Sequence, residues 1–305
     1  MSAAMNTVLD EVSCPCIDTA WLARHPLPAL EPDGDKEVRG QVLVIAGSRE
    51  VPGAAVLACV AALRSGAGKL TLMTAGPLAA GIGLAVPEAR VVGSGLTASA
   101  IRLLSAQTPV FDAMLIGPGM SPERECERLA AAAAKLFAST PLIMDAAAIG
   151  AIAQAGFRHD SCLVTPHAGE LAKLTGWAKQ SILADPHTAA ARAAAHWNVC
   201  VLLKGASTVL ATPAGPAWTH DSRRPGLATS GSGDVLAGLI AGLVAQGADL
   251  ITASAWAVAA HDRCGERLTA SIGEVGYLAR DILGEIPRAL AELRGTAQRE
   301  AREAT

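Results

Sequence analysis

Aromatic side chains are scarce in this chain: five Trp, three Phe and one Tyr among 305 residues. A core with so few rings must be filled by Ala, Val, Leu and Ile, which lets backbones approach closely. It also offers no aromatic platforms interleaved with basic clusters, as nucleic-acid binding would need. An excess of positive charge is missing too: 25 Lys and Arg stand against 28 Asp and Glu, a formal net charge of −3. Nucleic acid is therefore not an expected partner. Paired cysteines are lacking. The seven are scattered and odd in number, and Cys14-x-Cys16 has no second pair at metal-ligand spacing, so reduced thiols are expected rather than disulfides or zinc. The start, MSAAMNTVLDEV, carries acidic residues where a signal peptide needs positive charge before an apolar run. The most apolar long stretch, 235–260, is broken by Gln246, Gly247 and Asp249, so two buried helices are expected there and no membrane span. These absences lead to the expectation of a cytoplasmic protein.

What is present is a regular alternation. A strand, VLVIAG, begins near Gln41 and runs into Gly47-Ser48. An Ala-rich helix over about 53–65 follows, and then a second strand, KLTLMTA. Strand, Gly-rich turn, helix, strand is the βαβ pattern of a parallel sheet. Further strands are expected at 89–92, 113–116, 142–145, 162–164 and 199–204, and helices at about 97–106, 122–138, 147–156, 169–175 and 186–196. A hairpin-like pair, 208–212 and 216–219, and two helices, about 233–246 and 249–269, complete the pattern. Residues 1–38 are expected to be an irregular extension, with Pro15, Pro26, Pro28 and Pro32 and the acidic run Glu31-Pro32-Asp33-Gly34-Asp35. Residues 39–295 are expected to form one α/β domain with a mostly parallel central sheet, and 296–305 a polar tail.

Ligands of open parallel sheets bind beyond the carboxyl ends of the strands. At those ends the sequence places Gly47-Ser48, Gly117-Pro118-Gly119, Asp145, Thr165-Pro166-His167-Ala168-Gly169-Glu170 and Lys204-Gly205-Ala206-Ser207-Thr208. The densest signal is Gly231-Ser232-Gly233-Asp234, which leads directly into the helical run VLAGLIAGLVAQ. Unpaired N–H groups and the positive dipole end at a helix N-terminus favour an anion, and glycines there allow a phosphate to come close. Gly231, Ser232 and Gly233 are thus a candidate anion hole. Asp234 beside it can act as helix cap, metal ligand or general base. The P-loop pattern Gly-x-x-x-x-Gly-Lys-Ser/Thr is absent. His167 and Glu170 have no third residue nearby to make a zinc site. His167 reads equally as a structural or a ligand-contacting histidine, Asp145 is similarly open, and His261 in a late helix reads as packed or superficial.

Taken in order, VLVIAGS (42–48), PGAAVLACVAALRSGAGKLTLMT (52–74), VPEARV (86–91), IGPGM (116–120), TPHAGE (165–170), LLKGASTVLATPAG (202–215), PGLATSGSGDVLAGLIAGLVAQG (225–247) and GYLARDILGEIPRAL (276–290) resemble the ADP/ATP-dependent NAD(P)H-hydrate dehydratase family, a branch of the ribokinase-like superfamily. The resemblance implies a three-layer α/β/α sandwich and a repair reaction, ADP-dependent dehydration of the S-epimer of NAD(P)H hydrate (NADHX or NADPHX) with release of AMP and phosphate; ATP is the other nucleotide the family uses. It implies Asp234 as base, and Ala54, Gly119, His167 and Asp234 near the hydrated dinucleotide. It puts Lys204, Gly205, Ala206, Ser207, Thr208 and Gly233 on the adenine nucleotide, and Glu170 on Mg²⁺ through water. A homo-oligomer, a tetramer by the family's habit, is implied as well. So is a stand-alone dehydratase without the epimerase domain, for which the 38 residues before the first strand leave no room.

The chain departs from the family pattern in four places. Asp145-Ala146-Ala147-Ala148 stands for Asp-Ala-Asp-Ala, Ala168 for a Pro, Arg224 for an Asn, and Gly231-Ser232-Gly233 after Ser230 for a Gly-Gly-Met-Gly loop. These changes bear on nucleotide choice more than on reaction class. Two other readings share the Gly-x-Gly-Asp logic: a ribokinase-like kinase of a small vitamin-type alcohol, and a non-catalytic nucleotide-binding sensor.

Overall fold

The computed structural model describes residues 14–29, 35–107 and 110–303. Nine strands form one sheet: β1 Gln41–Ile45, β2 Lys69–Ala75, β3 Arg90–Ser94, β4 Ala113–Ile116, β5 Leu142–Met144, β6 Cys162–Val164, β7 Cys200–Leu203, β8 Ser207–Thr212 and β9 Gly215–Asp221. Their spatial order is β3-β2-β1-β4-β5-β6-β7-β8-β9. Pairing is parallel from β3 to β7; β8 and β9 then return as an antiparallel hairpin. The chain moves outward from β1 to β3 and jumps back to lay β4 against β1. That reversal opens a crevice at the carboxyl ends of β1 and β4, where open α/β sheets bind ligands.

The two-residue period of the strands divides the core into two layers. Val42, Val44, Leu70, Leu72 and Leu115 pack on one side with the helices Pro52–Arg64, Ser232–Ala245, Leu250–Ser271 and Ala279–Glu303. Leu43, Ile45, Met73, Met114 and Ile116 pack on the other with Ala98–Gln107, Glu123–Leu136, Ala168–Thr175 and Pro186–Trp197. This is the expected α/β/α sandwich. The scarcity of rings has a direct packing counterpart. Helix Ser232–Ala245 crosses helix Pro52–Arg64 so closely that a Cβ on Gly238 would lie 2.2 Å from the Ala58 carbonyl oxygen. One on Gly242 would lie 1.9 Å from Ser65 Oγ.

Several expectations are corrected. Within the extension expected to be irregular, Asp18 caps a short helix, Thr19–Arg24, through Trp21 N–H at 2.6 Å. Ile17 N–H donates to the Thr219 carbonyl, so this segment lines the edge of β9. The expectation for 1–13 and 30–34, including Glu31 to Gly34, lies outside the described residues. Helix Ala279–Glu303 runs through the boundary expected at 296. The helix expected at 147–156 is a 3₁₀ segment, Ala146–Ala153, and the helices Ala79–Ala85 and Lys179–Ala184 were not anticipated. Among the described residues, no helix is long and apolar enough to cross a membrane.

Candidate active site

Gly231 is the N-cap of helix Ser232–Ala245 with φ of +88°, and a Cβ there would meet Leu57 Cδ1 at 2.5 Å. Only glycine satisfies both the backbone and the contact. Ser232 N–H donates to the Thr229 carbonyl and Val235 N–H to the Gly231 carbonyl. The N–H groups between them, of Gly233 and Asp234, have no acceptor among the described residues. Two free donors at the positive end of a helix are suited to receive an anion. The Ser232 side chain does not enter it; Oγ lies 3.0 Å from His261 Nε2. His261 is packed as expected, and burial drives its pKa down to about 4, leaving a neutral ring.

Asp234 stands in the first turn, within electrostatic reach of two groups delivered by distant strands. Asp145 follows β5, is 2 % exposed, and accepts on Oδ1 from Thr165 Oγ1 at 2.6 Å and from Lys204 Nζ at 2.7 Å. Lys204 follows β7, its backbone N–H bonded to the Pro166 carbonyl. Burial pushes the Asp234 pKa up to about 7; the Asp145 charge adds to the shift and the Lys204 ammonium opposes it. Burial works against the Lys204 charge, but Asp145, Glu170 and Asp234 outweigh it and raise that pKa above its usual value. A carboxylate that titrates near neutrality is suited to accept a proton from a substrate hydroxyl.

His167 and Glu170 form a reciprocal cap on helix Ala168–Thr175. His167 Nδ1 accepts from Gly169 and Glu170 N–H at 3.0 and 3.1 Å, and Glu170 Oε2 accepts from His167 N–H at 2.8 Å. The capping role accounts for Nδ1, while His167 also borders a cavity lined by Lys204 and Gly233. Glu170 Oε1 has no hydrogen-bond partner among the described residues. One carboxylate with a free oxygen is a donor set that would suit Mg²⁺ beside a bound phosphate, since that ion uses one or two carboxylates together with phosphates and water. Among the described residues no group of three or more His, Cys, Asp or Glu could hold a metal, and Cys14 and Cys16 are free thiols.

The cavity has a volume of about 790 Å³. Lys204, Gly205, Ala206 and Thr208 form one wall, and Ser232 and Gly233 form part of its lining. Ser207 is on β8 with its hydroxyl 3.4 Å from Thr219 Oγ1 and does not border the cavity. Ala54 and Gly119 meet elsewhere, at the β1–β4 crevice: Gly119 has φ of +62°, and a Cβ on it would lie 2.6 Å from Ala54 Cβ. The Gly-rich loop links the two regions. Gly233 lines the cavity, whereas Gly231 touches Leu57, one turn after Ala54.

A second polar cluster on the cavity wall was not anticipated. Asp262 accepts from Ser222 Oγ at 2.5 Å and Arg224 Nε at 3.1 Å, and lies 3.7 Å from His220 Nε2. Burial alone would raise the Asp262 pKa, but these contacts hold it below the usual carboxylate range. The polar run His220-Asp221-Ser222-Arg223-Arg224, which ends just before Pro225, was its signal in the sequence.

The NAD(P)H-hydrate dehydratase family model matches residues 42–288, which spans every one of these groups. The chain belongs to that family. Among other members, it is 44 % identical over 282 residues to the ADP-dependent (S)-NAD(P)H-hydrate dehydratase of Xanthomonas campestris, covering 91 % of this chain and 96 % of that one. A crystal structure of the Bacillus subtilis ADP/ATP-dependent NAD(P)H-hydrate dehydratase, co-crystallised with ATP and Mg²⁺, superposes with a TM-score of 0.82 at 28 % identity, covering 92 % and 99 % of the two chains. A ribokinase-like superfamily protein from Enterococcus faecalis superposes at 0.79 with 27 % identity over 92 % and 96 %. In this chain the Gly-rich loop, the capped His167 segment and the Lys204 turn all lie at the carboxyl end of one sheet.

Proposed function

We propose that this protein is an ADP-dependent (S)-NAD(P)H-hydrate dehydratase that restores NADH and NADPH from their hydrates and releases AMP and phosphate. The observation that carries the reading is Asp234, with a pKa of about 7, placed beside two free helix N–H groups and the Lys204 ammonium. The adenine nucleotide occupies the 790 Å³ cavity against the Lys204–Thr208 turn, and its terminal phosphoryl group reaches the Gly231–Gly233 loop. The hydrated nicotinamide enters from the Ala54–Gly119 crevice with His167 at its border.

Ionised Asp234 takes the proton of the ring hydroxyl. The hydroxyl oxygen then bonds to the terminal phosphorus of ADP as the bond to AMP breaks. The N–H groups of Gly233 and Asp234 and the Lys204 ammonium neutralise the charge on the moving phosphoryl oxygens, which is the main demand of phosphoryl transfer. The carbon–oxygen bond of the resulting ester breaks, a ring proton leaves, and free phosphate and the dihydronicotinamide are released. Glu170, through water, and the nucleotide phosphates would hold Mg²⁺, which would supply further charge neutralisation. The same reading includes a homotetramer, for which light scattering should return four times the 30.9 kDa chain mass.

The experiment is the Asp234→Asn variant, which is expected to bind ADP and to lose turnover of NADPH hydrate. Retained turnover would remove Asp234 from the base role.

A further inference from the structure

Asp262 stands on the cavity wall with one oxygen of its carboxylate taken and the other open. Oδ1 accepts from Ser222 Oγ at 2.5 Å and from Arg224 Nε at 3.1 Å. Oδ2 has no donor among the described residues, and His220 Nε2 stops 3.7 Å short of it, beyond hydrogen-bond reach. A carboxylate buried for stability alone would use both oxygens, since buried polar groups are normally paired. Asp262 instead keeps 19 % of its side chain open and borders the cavity. Arg224 is one of the four departures from the family pattern, so the Arg224–Asp262 bond is not one that the pattern supplies.

The height of this carboxylate along its helix decides which part of a nucleotide it meets. Helix Leu250–Ser271 starts beside Asp160 and Ser161, which precede β6, and rises toward the carboxyl ends of the strands. Val258 is one turn below Asp262, and on the neighbouring helix Leu236 is one turn below Ser232; both line the cavity. The floor is therefore apolar and suits a base. At the rim, Gly233 and Asp234 offer their free N–H groups, and His261, the residue before Asp262, is bonded to Ser232 of the same loop. His220 pairs across the hairpin with Thr208, the last residue of the Lys204–Thr208 turn. Asp262 thus lies beside the loop and one turn above the floor. In a nucleotide the sugar spans that interval, because it joins base to phosphate.

We propose that Asp262 Oδ2 accepts a hydrogen bond from a ribose hydroxyl of the nucleotide, with Arg224 and Ser222 as positioning residues. This rests on the adenine-nucleotide site described under the proposed function and adds the group that reads the sugar. An ionised carboxylate has only acceptor sites, so it rewards a hydroxyl that donates and gains nothing from a hydrogen in its place. Ser222 and Arg224 favour the ionised form and fix which oxygen is left for the ligand.

The test is calorimetric titration of the full chain, with Mg²⁺ present, using ADP, 2′-deoxy-ADP, 3′-deoxy-ADP and IDP. In wild type, at least one of the deoxy nucleotides should bind about 10- to 100-fold more weakly than ADP, through loss of a hydrogen bond to a charged group. In Asp262→Ala, ADP should weaken by a similar factor and that deoxy nucleotide by less than about threefold, so that their ratio approaches one. Arg224→Asn, which installs the family's residue, should lower the ratio part-way, and Arg224→Lys should keep more of it. A merely structural role for Arg224 would weaken all four ligands alike. Equal binding of ADP and both deoxy nucleotides by wild type overturns the proposal, and that comparison needs no variant to fold. So does a ratio that Asp262→Ala leaves unchanged. A penalty for IDP that disappears in Asp262→Ala overturns it as well, because the carboxylate would then serve the amino group of the base. None of these titrations uses the hydrate, so the two readings fail separately. A protein that reads the sugar through Asp262 but does not turn over NADPH hydrate supports the contact and defeats the dehydratase, and one that binds none of the four nucleotides defeats both.

Discussion

The hydroxyl of Ser232 lies 3.0 Å from Nε2 of His261, and both side chains are buried. This bond fastens the middle of the Gly-rich loop to the long helix Leu250–Ser271, which also carries Asp262 on the cavity wall. The loop is thus fixed by its flanks and by this pin, while its glycines leave the N–H groups of Gly233 and Asp234 uncovered.

Unequal sensitivity along the loop follows. Ser232→Gly should cost about 1–3 kcal/mol of stability by leaving the histidine nitrogen unpaired, and should retain measurable turnover. Gly231→Val should abolish turnover, because φ is +88° and Leu57 occupies the space a Cβ would need. Gly233→Val should do so too, by driving Lys204 Nζ away. Equal losses at all three positions, measured as kcat/KM, would contradict the anion-site geometry.

Asp234 should destabilise the fold at neutral pH. Its folded pKa of about 7 lies above the ordinary 3.8, so between these values the native state holds a proton that the unfolded chain does not. Stability is therefore greatest below about pH 4 as far as this group is concerned, and it is lost as pH rises through about 7. Asp234→Asn should match wild type in Tm near pH 4 and exceed it by several degrees at pH 8, at about 2–4 °C per kcal/mol for a chain of this order of size. A Tm difference that does not grow with pH would rule out the raised carboxyl pKa.

The same group should set the acid limb of activity. With Asp234 in its proposed role as base, which only the ionised carboxylate can fill, kcat/KM for the hydrate at saturating ADP should rise about tenfold per pH unit below 7 and flatten above it. A profile already flat at pH 5 would assign the proton transfer to another group.

Close helix packing behind the site gives a prediction independent of chemistry. Gly238→Ala should destabilise by about 1–3 kcal/mol or more through overpacking against the Ala58 carbonyl. Gly81→Ala, on helix Ala79–Ala85 where a Cβ meets nothing within 4 Å, should stabilise by about 0.5–1 kcal/mol. Thermal melts of the two variants shifting in the same direction would refute this packing.

The parts of this structure written in local sequence were readable from it. Gly231-Ser232-Gly233-Asp234 is a contiguous signal for a helix N-terminus, and the strand ends at Gly47, Gly119, Asp145, Thr165 and Lys204 follow from apolar runs that stop at polar or Gly-rich residues. What could not be read depends on separation. The Lys204–Asp145 bond joins residues 59 apart, and the Ser232–His261 bond joins residues 29 apart; no periodicity relates either pair. The Asp262 cluster was missed because its members lie on a hairpin, a loop and a helix. Helix Ala79–Ala85 was hidden by Gly81 and Gly83, which weaken any helical propensity, and the short helix after Asp18 by the prolines around it.

The most direct test is to mix the purified protein with NADPH hydrate and Mg²⁺, with and without ADP or ATP, and to follow the near-ultraviolet absorbance of the dihydronicotinamide. A rise that requires nucleotide, is larger with ADP than with ATP, and is matched by free phosphate is the expected result. A flat trace from protein shown to bind ADP, or a stable phosphate ester formed from a small alcohol, would contradict the assignment.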